Sequence, residues 1–179
     1  APHTDDGELG CGGTIARFVE RRASVYYAAF SSAYKSIPSH LPSDTLASEL
    51  RRATELLGIP RENLILYDYP VREFTNRRQE VLEDLIRLNQ SIDPTLVFLP
   101  SRADTHQDHQ VISNEGFRAF KKKTMLGYEL PWNNLTFQTS SFFVLNSGHV
   151  AKKIEALGCY ESQKNRRYFD PEFITSLAR

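Results

Sequence analysis

The chain has 179 residues, 40% of them hydrophobic and 25% charged, with a formal net charge of zero. That length supports one domain with a substantial core, and the charge balance excludes a long-range pull toward nucleic acid or an anionic membrane surface. No apolar run approaches the ~20 residues of a membrane span, and two cysteines are too few for a disulfide framework, so a reducing cytoplasm is the expected compartment.

Pro2-His3-Thr4-Asp5-Asp6-Gly7-Glu8 comes first and sets one imidazole and two carboxylates close together. Gly10-Cys11-Gly12-Gly13 then allows a tight turn and the launch of a helix over Thr14 to Arg22, with Ile15, Phe18 and Val19 at helical spacing. Ser24 to Phe30 is a continuous β-prone run that reads as a strand buried on both faces. A polar loop from Ser31 to Pro42 precedes a second helix from about Ser43, which Gly58 and Pro60 stop.

Leu64 to Asp68 reads as the next short strand, closed by Pro70. Asn76 and Gln79 have capping-box spacing and open a helix running to about Asn89. Thr95 to Leu99 is another buried strand, followed directly by His106-Gln107-Asp108-His109 and a helix to about Lys123. Met125 to Glu129 reads as a strand and Phe137 to Leu145 as a longer one, with helices around Val150 to Leu157 and from Pro171 to Arg179. Strands alternating with helices imply βαβ units, a mostly parallel central sheet and an α/β, Rossmann-like three-layer sandwich.

In such sheets ligands bind beyond the carboxyl ends of the strands. Ser31, Ser32, Asp68, the Ser101 to His109 stretch and Glu129 fall there. His3 would obey the same rule if a strand preceded it, so the expectation is a single domain, 1–179, lacking its first strand and a C-terminal piece.

His3 to Asp6 and His106 to His109 are the two places where His and Asp crowd together. A His and an Asp of the first cluster can reach one divalent cation and leave the other Asp as a base. A third ligand has to come from the second cluster. Either cluster alone is an ordinary polar turn or helix start. On the same rim of an alternating α/β chain, the two together read as a metal site. Gly10 to Gly13 does not read as a dinucleotide loop, because Ile15 stands where the third glycine of G-x-G-x-x-G belongs. Lys121 to Lys123 reads as a solvated helix end, His40 and His149 as surface residues, and Cys11 as a small helix-packing residue.

The first stretch, Ala1 to Gly13, resembles the opening signature of the PIG-L / LmbE-like zinc deacetylases, A-H-P-D-D-E or P-H-P-D-D-E ahead of a glycine-rich helix start. His106-Gln107-Asp108-His109 resembles their second signature, H-x-D-H. The resemblance covers essentially the whole chain. It implies a Zn2+ held by His3, Asp6 and His109, with Asp5 as general base and His106 as electrostatic partner or general acid. It also implies that Asp108 orients a histidine, and that the substrate is a small-molecule N-acetylated amino sugar or its conjugate, losing its acetyl group by hydrolysis. Thr4 and Gly7 replace the usual proline and glutamate, which implies a looser loop. Asp104 stands where some members place a carbonyl-polarising tyrosine. No nucleic acid or membrane span is implied, and a homo-oligomer is compatible with this reading.

Two alternatives stand beside it. One is a metallo-β-lactamase-like hydrolase, although the first histidine of H-x-H-x-D-H is missing here. The other is a non-catalytic α/β domain that binds a sugar or nucleotide at the same rim.

Overall fold

The computed structural model describes residues 1–178. Four short strands alternate with helices: α1 (Asp6–Glu20), β1 (Tyr27–Ala29), α2 (Thr45–Leu56), β2 (Leu64–Leu66), α3 (Arg78–Ile92), β3 (Leu96–Pro100), α4 (Gln107–Ala119), β4 (Thr124–Tyr128), α5 (Ser147–Leu157) and α6 (Pro171–Leu177). Every strand pair is parallel. β1 runs beside β2 with Tyr27 opposite Leu64, and β3 beside β4 with Leu96 opposite Thr124. This is the α/β architecture expected from the sequence, with helices covering both faces of the strands. One apolar cluster joins α1, α2 and α5 through Ile15, Leu50, Leu57 and Leu157. The other joins α3, α4 and β3 through Val81, Leu85, Ile112 and Leu99.

β1 and β3 are not paired with each other; their edges line a slot of about 490 Å3, which α1, α3 and α4 close with Phe18, Leu85 and Ile112. At one end, the Ala1 ammonium donates to the Ala28 carbonyl (2.6 Å), and the Phe30 amide donates to the Ala1 carbonyl (3.0 Å). Those two bonds flank Ala29 in the manner of a parallel ladder.

Four local readings are corrected. α1 begins at Asp6, a full two turns before Thr14, so Gly7, Gly10, Gly12 and Gly13 are helical rather than a turn. The cause is packing: a Cβ on Gly7 would lie 2.5 Å from the Tyr27 ring, and one on Gly10 would lie 2.4 Å from Tyr128. The stretch is therefore a tightly docked helix start, not a loosened loop. Phe137 to Leu145 forms no strand. Its apolar content is β-like, but no neighbouring strand offers it a ladder, so Phe143 turns inward onto Phe18 and Phe98 and Leu145 packs against Gly13, while Phe142 and Val144 stay 81% exposed.

The Asn76–Gln79 capping box does not form; a 3-10 turn, Phe74–Arg77, leads into α3 instead. A capping box does form at Asn146 and His149 on α5. His149 is accordingly buried rather than on the surface, and its Nε2 lies 2.8 Å from Glu20. His40 is exposed as read. Cys11 is buried in the helix interface, and burial pushes its thiol up to about 12, so it is unreactive.

Candidate metal centre

The loop after β3 and the turn into α1 bring the two clusters together. His3 Nδ1 lies 3.0 Å from Asp6 Oδ2, His109 Nε2 lies 3.2 Å from the same oxygen, and the two imidazole nitrogens are 3.3 Å apart. All three side chains are buried. Donor atoms bound at zinc–ligand lengths in a tetrahedron stand about 3.3 Å apart, so this triangle can hold a divalent cation with one position left open.

Each imidazole is fixed from behind by a carboxylate. Asp108 Oδ2 lies 2.9 Å from His3 Nε2, and Asp104 Oδ2 lies 2.8 Å from His109 Nδ1. Such pairs set the tautomer and aim of a ligating histidine. Asp108 is itself held by the Arg72 amide at 2.6 Å, with Arg72 in the left-handed region at φ 69°. Asp104 is also engaged by the His106 amide at 2.8 Å. It is 1% exposed, so the residue at the tyrosine position faces His109. The sequence held a weak sign of this, since Asp104 falls five positions before His109, but that spacing crosses the start of α4 and matches no local motif.

Charge follows the geometry. Burial works against ionising His3 and His109, yet Asp6 and the carboxylates behind them override it and raise the two imidazoles to about 9 and about 10. Burial also works against an ionised Asp6, but His109 and His3 hold its carboxyl well below the usual range. In Asp5 burial and the neighbouring Asp6 charge win, and its carboxyl rises to about 6. Asp5 is the N-cap of α1 without a capping hydrogen bond.

His106 sits at the N-cap of α4, where its Nδ1 accepts from the Asp108 amide at 3.2 Å. Burial and the cationic His109 and His3 lower its pKa, so the ring is neutral at pH 7 and carries its proton on Nε2. A ring nitrogen of His106 also lies within 4.8 Å of those of His3 and His109.

Sequence reasoning missed the support beneath the first cluster. Glu8 is fully buried and accepts from Tyr27 at 2.5 Å and from Tyr160 at 2.8 Å. Both hydroxyls also reach the Thr4 carbonyl, at 3.2 and 2.5 Å, and Tyr27 accepts from the Gly7 amide. Tyr160 lies 152 positions from Glu8, so no local pattern announces it.

A parallel α/β chain with a buried histidine–carboxylate centre at the carboxyl ends of its strands has the build of a metal-assisted hydrolase. The family model for GlcNAc-PI de-N-acetylases, PIG-L, matches residues 1–120. The chain is 28% identical over 170 residues to an uncharacterized deacetylase, YaiS, of Escherichia coli (strain K12), covering 89% of this chain and 87% of that protein. It superposes on the N,N'-diacetylchitobiose deacetylase of Pyrococcus horikoshii with a TM-score of 0.80 at 19% identity, covering 99% and 74% of the two chains. A deacetylase of the teicoplanin biosynthetic pathway gives a TM-score of 0.79 at 18% identity, covering 98% and 86%. The chain belongs to the PIG-L de-N-acetylase family and is an N-deacetylase. Parallel βα units and this membership replace both the metallo-β-lactamase-like and the non-catalytic alternatives. Among the described residues no helix is long and apolar enough to cross a membrane.

Proposed function

We propose that this chain is a zinc-dependent hydrolase that cleaves the acetamide of an N-acetylated amino-sugar conjugate, releasing acetate and the free amine. The observation carrying this reading is the buried triangle of His3 Nδ1, Asp6 Oδ2 and His109 Nε2, with a carboxylate behind each histidine. Zinc bound there would supply Lewis acidity and acidify a water molecule.

The remaining chemistry falls to the chain. Asp5, with its carboxyl near 6, takes the proton of the attacking water as a new carbon–oxygen bond forms. Neutral His106 donates its Nε2 proton in a hydrogen bond to the charge developing on the carbonyl oxygen. As the carbon–nitrogen bond breaks, the protonated Asp5 delivers its proton to the leaving amine. Asp104 and Asp108 stay out of proton transfer and hold the imidazoles in place. Asp68 and Arg72 follow β2 and Glu129 follows β4, on the carboxyl-end rim where sugar hydroxyls would be held, while Lys35 is tied to Glu73 beside them. Two free cysteines, one of them buried, favour the cytoplasm as the compartment.

Acetate release from a panel of N-acetylated sugars and sugar conjugates, with and without a chelator, tests the reading. Chelator-sensitive acetate release from an amino-sugar substrate is the expected result. Release that survives complete metal removal would overturn the zinc assignment, and no release from any acetylated amino sugar would overturn the substrate class.

A further inference from the structure

The side chains of the centre are aimed in two different ways. His3 and His109 are each braced by a carboxylate, Asp108 at 2.9 Å and Asp104 at 2.8 Å. Asp6 accepts from the His3 amide at 2.9 Å and faces both imidazoles. These braces hold the side chains directly. Asp5 has no such brace to α1, since it is the N-cap of the helix and makes no capping hydrogen bond. Its direction is therefore set by the peptide that enters it, whose carbonyl belongs to Thr4.

Thr4 is 1% exposed, and its carbonyl lies against two tyrosine hydroxyls, Tyr160 at 2.5 Å and Tyr27 at 3.2 Å. Tyr160 makes the shorter contact and is itself firmly held. Its hydroxyl also reaches Glu8 at 2.8 Å, and its ring meets Phe169 edge to face, with centroids 5.9 Å apart. The turn that follows it is tied to α2, where Glu49 accepts from the Ser162 amide at 2.9 Å and from the Ser162 hydroxyl at 2.6 Å. A hydroxyl on so rigid a stem restricts the direction of the carbonyl it meets. Without it, the buried Thr4 carbonyl keeps only the longer contact with Tyr27, and the Thr4–Asp5 peptide is free to tilt.

We propose that Tyr160 is a positioning residue: its hydroxyl holds the Thr4–Asp5 peptide and so aims the Asp5 carboxylate, while the proposed metal ligands are aimed independently of it. This rests on the proposed role of Asp5 as general base. The segment after α5 thereby sets the geometry of proton transfer without reaching the reacting atoms.

The test is a double-mutant cycle on zinc-loaded wild type, Y160F, Asp5→Asn and the two combined. Acetate release gives kcat and KM, elemental analysis gives zinc per chain, and hydrogen exchange is followed at the amides of residues 4–7. Y160F is expected to lower kcat about 10- to 100-fold, the scale of a misplacement near 1 Å, with KM changed by less than about 2-fold. Its zinc content stays that of the wild type. In the Asp5→Asn background the same substitution lowers kcat by less than about 2-fold, because the group it aims is gone. A hydroxyl that only stabilised the fold would give the same factor in both backgrounds. Equal factors, or zinc lost from Y160F, would overturn the proposal. Exchange at residues 4–7 is expected to accelerate in Y160F, and unchanged exchange would overturn it too. Y27F, which removes the 3.2 Å contact with the same carbonyl, is carried through the same cycle and decides the matter if Y160F folds poorly. Accelerated exchange with zinc retained, but no turnover by the wild type, would keep the clamp and sink the deacetylase reading. Turnover with equal factors would keep the deacetylase reading and sink the clamp.

Discussion

Asp6 lies between two cationic imidazoles, while Asp5, next to it in the chain, faces none at bonding distance. That difference in surroundings fixes what each carboxylate can do. In the proposed mechanism Asp6 is a ligand and Asp5, with its carboxyl near 6, is the base. Asp5→Asn keeps the shape and removes the base, so kcat is expected to fall about 10²- to 10⁴-fold, measured by acetate release. Glu8 offers a separate test in stability. Burial outweighs the two tyrosine hydrogen bonds and raises its carboxyl to about 8 from an ordinary 4.5. Between those values the unfolded chain is ionised at this position while the folded chain keeps the proton. Raising the pH through that window therefore destabilises the fold, by up to about 1.4 kcal/mol per unit. Glu8→Gln preserves donors and acceptors for both tyrosines. The variant is expected to lose this slope in chemical denaturation at pH 5 to 8, and an unchanged slope would contradict the assignment.

At the scale of elements, most of the fold was legible because helical and strand periodicities are local. β2, β3, β4 and the α2 and α4 stripes fall where the apolar pattern puts them. The misreadings share a physical cause, since each concerned a contact with something distant. Glycines at 7 and 10 read as a turn because the rings of Tyr27 and Tyr128, which need the space, are far away in sequence. Phe137 to Leu145 read as a strand because pattern alone does not say whether an edge is available.

The slot between β1 and β3 extends this reasoning. We propose that it takes one further parallel strand leading into Ala1, since Ala1 already bonds the β1 edge in ladder fashion, no described strand lies between β1 and β3, and the slot's walls are apolar. Burial lowers the Ala1 ammonium to about 6, so a free charge is poorly placed there. Fusing five β-branched apolar residues ahead of Ala1 is expected to raise Tm by about 4 °C or more over a Gly/Ser extension of equal length. Both extensions move the charge away, and only one fills the slot. Equal Tm values would contradict the proposal.

For the whole molecule, the site was legible in its residue types and hidden in its support. His3, Asp5, Asp6, His106, Asp108 and His109 stood out because two short motifs concentrate them. Asp104, Tyr27 and Tyr160 did not, because their roles exist only after folding brings distant segments together. The folded charge arrangement has a measurable consequence for metal loading. His3 and His109 titrate at about 9 and about 10, so both imidazoles are protonated at pH 7 without metal. Each must lose a proton to bind a divalent cation, so loading exchanges two positive charges for two. Calorimetric titration of zinc in buffers of different ionisation enthalpy is expected to give release of about two protons per metal at pH 7. Apparent affinity should fall about 100-fold for each unit of pH lowered below 9. Release of no protons would contradict this arrangement.

The central claim is that His3, Asp6 and His109 hold the metal while Asp5 does not. Elemental analysis of zinc per chain, on dialysed wild-type protein, Asp5→Asn, Asp6→Ala and His109→Ala prepared side by side, tests it most directly. About one zinc per chain is expected in the wild type and in Asp5→Asn, and close to none in Asp6→Ala and His109→Ala. Zinc lost from Asp5→Asn but retained by Asp6→Ala would reverse the two roles and contradict the account.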